Sequence, residues 1–387
     1  MKRYLIYLTG VLFCGLLLGC TAGPVEDMPE TAQLVAISFG KPDLGIPVVL
    51  TRADETVTPA PELAFLPAGA TVRICGYLRG EAGTSTAPAS FATAAPSFEV
   101  TYVVEADGSL SPCMVDDTGT ELPGNAGELI VRGGIYDFYA VSPARKPLKD
   151  TDNRYTIPSL PHKEDIMTSF AREVTISRTS RVVELETFRR QCALLVFNVA
   201  PSPGNALPFK QLFGTKLVLS NISSSGASLI VGADTGIFPT GGGSGTEAEV
   251  VFGSDEFVPV EEGSDPKNMK LNKVKGVILP KNDRPFGVEI SVQRDDETAT
   301  LKATVDKRIT FDAGKRYVFT LEVKNDESRL NLRVLAWNAV PFTDGNVGGP
   351  DEPYPDPDIH QGIGIVMTVA SWKNIIWSGV AGGGEGE

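Results

Sequence analysis

The chain has 387 residues, with 35 Lys and Arg against 48 Asp and Glu, a formal charge of −13, and 2 histidines. That length holds about two domains of ordinary size, and an acidic balance without a basic arm or stripe argues against nucleic acid as a partner. The 40 glycines and 28 prolines interrupt any long helical pattern and point to an all-β chain punctuated by turns.

The N-terminus carries the clearest signal. Lys2 and Arg3 precede an apolar run from Tyr4 to Leu18, too short for a comfortable membrane span and placed where a secretory signal has its apolar core. The run ends in Leu17-Leu18-Gly19-Cys20, which resembles the lipobox of bacterial lipoproteins. The resemblance implies cleavage before Cys20, loss of residues 1–19, and lipid on both the thiol and the new amine of Cys20. A thiol is needed there because only a good nucleophile accepts diacylglycerol as a thioether. Several acyl chains together anchor stably where one does not. Losing Lys2 and Arg3 leaves 33 − 48 = −15. Thr21, not Asp, follows the cysteine, and Glu26 and Asp27 form a short acidic patch that favours display on the outer face.

With Cys14 discarded and Cys20 lipidated, Cys75, Cys113 and Cys192 remain. An odd set of three allows at most one internal bridge, so a disulfide framework and a cysteine metal cluster are both excluded. All three read as small buried hydrophobes.

After a polar tether over 21–30, QLVAISFG (33–40) puts Val35, Ile37 and Phe39 on one side of a period-2 pattern, and a second apolar run, PVVLT (47–51), leads to Arg52-Ala53 and a Pro/Ala/Thr-rich stretch. Strand-like runs follow at 71–78, 97–105, 128–134 and 135–143. The stretch from Gly80 to Pro96 reads as a surface loop. CALLVFNVA (192–200) is nearly continuous in apolar character, as in a strand buried on both faces. Further runs lie at 215–221, 248–253, 274–280, 286–293, 300–305, 316–324 and 330–338, with a flexible loop at Thr240–Thr246 and a turn at Asp312–Gly314. About seven strands per half at this spacing predict two β-sandwiches. The expected organisation is a signal peptide over 1–19, a lipidated pro-segment with N-terminal strands over 20–52, one sandwich over 53–189, a second over 190–345, and a linker and tail over 346–387. The linker is proline-rich. In the tail, Ile363, Ile365, Met367 and Val369 alternate without an obvious hairpin partner, and an unpaired apolar strand needs a groove.

Catalysis finds little support. His162 follows a proline in a turn and His360 ends an acidic linker; both are expected to face solvent, and neither joins a Ser/His/Asp or Cys/His arrangement. The chain is read as no enzyme, with no cofactor. Asp351, Glu352, Asp356 and Asp358 read as a hydrated linker and not as calcium ligands, because prolines interrupt their spacing, so no metal site is assigned.

Asp165-Ile166-Met167, Phe188 with the run Ala193–Val199, Gly314-Lys315-Arg316-Tyr317-Val318-Phe319 and Val334-Leu335-Ala336-Trp337 occur in an order that resembles the fimbrillin superfamily, the type V pilins. Beside the Phe188 position, where that family often carries a histidine, this chain has Arg190. The resemblance implies two tandem antiparallel, transthyretin-like β-sandwiches with a C-terminal extension, in a pilus subunit exported to the outer membrane as a lipoprotein. It implies an arginine-specific protease cutting at Arg52–Ala53, and a donor strand (Ile363, Ile365, Met367 and Val369) that fills the groove vacated in a neighbouring subunit. Arg73 and Arg79, in or at the end of a strand, would be shielded from such a protease. The partners implied are other fimbrial subunits in a head-to-tail polymer. An anchor or tip subunit is the rival within the family, and a glycan-binding β-sandwich lipoprotein the rival outside it.

Overall fold

A computed structural model describes residues 33–44, 65–80, 88–202, 211–223, 226–232, 248–259, 271–294, 297–326, 329–336, 340–341 and 365–366. Among these residues there are strands and one short 3-10 turn, Ser254–Glu256. In the first half the strands are β1 (Leu34–Ala36), β2 (Ser38–Phe39), β3 (Thr71–Gly80), β4 (Phe98–Val104), β5 (Leu110–Pro112), β6 (Met114–Val115), β7 (Glu121–Leu122), β8 (Ile130–Arg132), β9 (Gly134–Ser142), β10 (Leu148–Lys149), β11 (Tyr155–Leu160), β12 (Met167–Ile176), β13 (Val182–Val183) and β14 (Arg189–Arg190). In the second half they are β15 (Ala193–Pro201), β16 (Leu212–Ile222), β17 (Ala227–Ile230), β18 (Ala248–Phe252), β19 (Phe257–Pro259), β20 (Asn272–Ile278), β21 (Lys281–Arg294), β22 (Glu297–Phe311), β23 (Lys315–Asp326), β24 (Arg329–Ala336), β25 (Val340–Pro341) and β26 (Ile365–Val366).

The first half builds a six-stranded sheet in the order β14-β12-β9-β3-β4-β5. Period-2 alternation sends Val72, Ile74, Tyr136, Phe138 and Ala140 to one face. There they meet a second layer formed by β1 with β8 and β2 with β13. The second half builds one sheet in the order β19-β20-β15-β23-β24-β26 and another in the order β18-β16-β21-β22. Between them Phe197 stacks on Phe319 at 4.9 Å, and Phe286 meets Phe311 edge-on at 5.3 Å. Most pairings are antiparallel, but β15 runs parallel to β23, and β2 parallel to β13.

The two sandwiches share a third core. Residues on the opposite faces of the same two sheets, Cys75, Tyr77, Tyr139 and Val141 from the first half and Leu194, Val196, Val277 and Leu279 from the second, form one buried cluster. A small sheet, β10-β11-β17, joins strands from both halves. This junction is why the 192–200 run is apolar on both faces: odd positions of β15 enter the second sandwich and even positions enter the junction. It also corrects the reading of 80–96 as surface loop. Residues 81–87 lie outside the described residues, but Phe91 is buried in the junction core. Its ring packs beside Tyr77 and Tyr139, with the Arg172 guanidinium 3.6 Å from its centroid. Gly232, at φ +71, faces Phe91 so closely that an added Cβ would lie 2.5 Å from the phenylalanine Cβ.

Cys75, Cys113 and Cys192 are buried and free, as small hydrophobes. Arg73 and Arg79 are shielded as expected. Arg73 donates to the Ala144 and Arg145 carbonyls and pairs with Glu99, and Arg79 lies 3.2 Å from fully buried Asp137. Asp137 also accepts from the Ala89 and Glu173 amides and from Arg172, so its charge is compensated from four directions.

Candidate assembly site in the first sandwich

Residues 33–40 form one extended segment held between two short partners. Leu34, Val35 and Ala36 pair antiparallel with Arg132, Val131 and Ile130, and Ser38 and Phe39 pair parallel with Val182 and Val183. The Ile37 amide donates to the Leu129 carbonyl, the Ser38 amide to that of Arg181, and the Gly40 amide to that of Val183, at 2.9–3.0 Å. Farther on, Asp43 bridges Phe65 and its carbonyl accepts from the Phe188 amide at 2.8 Å. The apolar run 47–51, together with Arg52 and Ala53, lies outside the described residues, as does Cys20.

The alternation in QLVAISFG decides which side chains go in. Val35, Ile37 and Phe39 are buried, Leu44 joins them, and Leu34 and Ala36 point to solvent. Phe39 is the largest anchor. Its ring makes edge contacts with Tyr102 at 5.4 Å and Phe138 at 5.6 Å. Leu66, Val131, Val183 and Phe188 complete the walls. Leu66 and Val131 come from stretches far from the run 182–188 that holds Val183 and Phe188, so no local pattern joins the four, and Phe188 alone stands out, as part of the family resemblance. Burial of four large apolar side chains contributes about 6–12 kcal/mol, an upper figure because denatured chains already bury part of such surface.

The other signature residues organise the passage from the first sandwich to the second. Arg190, on β14, pairs with Asp165 at 2.9 Å. Burial raises the Asp165 carboxyl above its usual range, and the Arg190 charge opposes that shift. Ile166 faces the junction core and Met167 the first core. The Gly314 amide, at the turn into β23, donates to the Cys192 carbonyl at 2.8 Å.

Of the tail residues, Ile365 is described: it sits opposite Ala336 in an antiparallel pair of two residues at the edge of β24. Ile363, Met367 and Val369 lie outside the described residues. His162 is not solvent-facing as expected; it is partly buried, with both ring nitrogens hydrogen-bonded. The reason is tertiary: the turn after Pro161 is pressed against the second sandwich. His360 lies outside the described residues. No group of three or more His, Cys, Asp or Glu able to hold a metal occurs among the described residues.

No curated protein matches the chain. Among solved structures, a candidate cell adhesion protein from Bacteroides fragilis matches with a TM-score of 0.50 at 17% identity, over 78% of this chain and 97% of that one. This likeness speaks to fold: a protein of β-sandwich type over nearly its whole length. A fimbrial protein from Bacteroides vulgatus (13% identity, TM-score 0.38, 80% of this chain and 99% of that one) and the tip fimbrial protein Mfa3 from Porphyromonas gingivalis (9% identity, TM-score 0.33, 80% and 98%) also match, too distantly to carry an argument. A family model described as fimbrillin-like matches residues 128–337, more than half of the chain. That span runs from β8, which pairs with the N-terminal segment, through the Asp165–Met167 and Phe188 signatures, to the end of β24, and with it the chain belongs to the fimbrillin-like family.

Proposed function

We propose that this chain is a structural subunit of a surface fimbria, exported as an outer-membrane lipoprotein on Cys20, cut by an arginine-specific protease at Arg52–Ala53, and polymerised head-to-tail by strand donation in support of adhesion. The observation that carries the reading is the segment 33–44. It fills the first sandwich as a separate strand, supplies a whole stripe of its core, and precedes Arg52 in the chain. Its removal would leave a groove lined by Tyr102, Val131, Phe138 and Val183.

The tail has a matching pattern. Val35, Ile37 and Phe39 recur in spacing and apolar character as Ile363, Ile365 and Met367. Methionine, unbranched and adaptable, suits the site between Tyr102 and Phe138 that a phenylalanine ring leaves. Eight residues from Ile363 to Ala370 reach about 26 Å, enough for one sandwich. Val369 extends the same stripe. Donation would give up the two-residue pairing of β26 on its own β24, a small loss against a buried stripe and a new set of main-chain hydrogen bonds.

Three variants test the reading. Cys20→Ala should abolish palmitate labelling. Arg52→Ala should leave a longer, lipid-anchored form that does not polymerise, where the wild-type surface form starts at Ala53. Deleting 362–387 should leave a folded subunit that accepts a donor but cannot offer one. Normal filaments from the deletion, or a monomer unfolded by it, would overturn the donor assignment.

A further inference from the structure

The junction between the sandwiches contains a titratable group that neither assembly nor family membership explains. His162 lies in the turn after β11, in the first sandwich, yet both of its ring nitrogens bond to the second. The Leu279 amide donates to Nδ1 at 3.1 Å, and Nε2 lies 2.7 Å from the Ser223 carbonyl. A backbone N–H can only donate and a carbonyl can only accept, so the two contacts together fix one tautomer: Nδ1 bare, Nε2 carrying the proton. The next residue continues the join. The Lys163 amide donates to the Val277 carbonyl at 2.8 Å, and its ammonium reaches both Glu256 oxygens at 2.7 Å while lying 4.7 Å over the Phe252 ring.

We infer that His162 is an acid-sensitive latch between the two sandwiches, closed while its imidazole is neutral and released when Nδ1 takes a proton. The imidazolium has N–H on both nitrogens, so Nδ1–H would face the Leu279 N–H, and a buried amide would lose its acceptor. Among the described residues, the charges in its own turn are paired: Lys163 with Glu256 of the second sandwich, Glu164 with Arg145 and Asp165 with Arg190. Burial lowers the His162 pKa from the ordinary 6.5, and the Ser223 carbonyl opposes this. Since the folded value lies below the unfolded one, the latch contributes its full stability above pH 6.5 and loses it as pH falls through the lowered folded value.

The ordinary imidazole value of 6.5 sets the reference for the test. Imidazole NMR titration of the full chain should show His162 titrating below that value and holding the Nε2–H tautomer above its midpoint. Amide exchange supplies the mechanical readout. Gly226 and Val231 donate across the junction to the Leu160 and Tyr155 carbonyls, at 2.8 and 3.0 Å. After correction for intrinsic rates, their protection should fall below pH 6.5 by up to about tenfold per pH unit, while the amides of the β21–β22 hairpin hold theirs. His162→Gln, which can bond but not titrate in this range, should keep the junction amides flat across the window. Should His162 titrate at or above the ordinary value of 6.5, or should the glutamine variant lose junction protection as the wild type does, the latch assignment is overturned. If the variant fails to fold, the wild type decides: the His162 midpoint and the loss of junction protection must coincide.

Discussion

The two sandwiches have similar aromatic cores but differ in how each closes. In the second, the four-stranded layer is built around a long hairpin, with β21 and β22 paired from Lys281 opposite Phe311 to Arg294 opposite Glu297 and in unbroken register from Phe286 opposite Val305 onward. In the first, the layer opposite the six-stranded sheet depends on 33–39, which makes three registered pairs on one side and two on the other. Short ladders and a stripe of buried side chains hold that strand. A layer held by its side-chain stripe can be replaced by any strand with the same stripe, whereas a hairpin layer cannot be exchanged without unfolding the domain. In the proposed assembly, this difference assigns the acceptor role to the first sandwich.

Substituting the two anchors tests this contrast most severely. Phe39→Ala and Phe286→Ala should each cost about 3–5 kcal/mol, but in different places. The first should reduce amide protection in β3 and β9, the second in β16 and β21. If either change lowers one common denaturant transition across all strands, the shared junction makes the sandwiches a single cooperative unit and the contrast fails.

Smaller effects are expected where a ring covers a strand glycine. An added Cβ at Gly76 would lie 2.2 Å from the Phe98 ring, and one at Gly276 would lie 2.1 Å from that of Phe252. Gly76→Ala and Gly276→Ala should each cost about 1–3 kcal/mol by forcing those rings aside, measured as thermal midpoints. The Gly76 change should be the milder of the two, because Phe98 is only partly buried and has room to move, whereas Phe252 is enclosed.

The smallest expected effect is none. Burial, aided by Glu99, pushes the Cys75 thiol up to about 12; burial raises Cys192 as well, and Cys113 also rises. Raised thiols are poor nucleophiles at neutral pH, so native protein at pH 8 should resist iodoacetamide. On partial denaturation Cys113, in the first sandwich, should label before Cys192, which waits for the junction to open. Simultaneous labelling would again favour one cooperative unit.

Much of this molecule is written locally. The alternation Val35, Ile37, Phe39 is a property of neighbouring residues, and it fixed which face of that strand is buried before any partner was known. The all-β class, the turn at Asp312–Gly314 and the two-faced burial of 192–200 were legible for the same reason: periodicity and turn chemistry act over a few residues. What the sequence could not supply was what covers each face. Phe91 reads as a lone aromatic in an Ala/Ser/Thr loop until the second sandwich encloses it, and His162 reads as an exposed turn residue until Ser223 and Leu279, 61 and 117 residues away, take its two nitrogens. The residues around the Val35, Ile37 and Phe39 stripe, Tyr102, Val131, Val183 and Phe188, converge from three separate stretches. Contacts of that range depend on how whole sheets stack, and a stacking decision leaves no periodic trace in any one segment, so only the tertiary structure could make it.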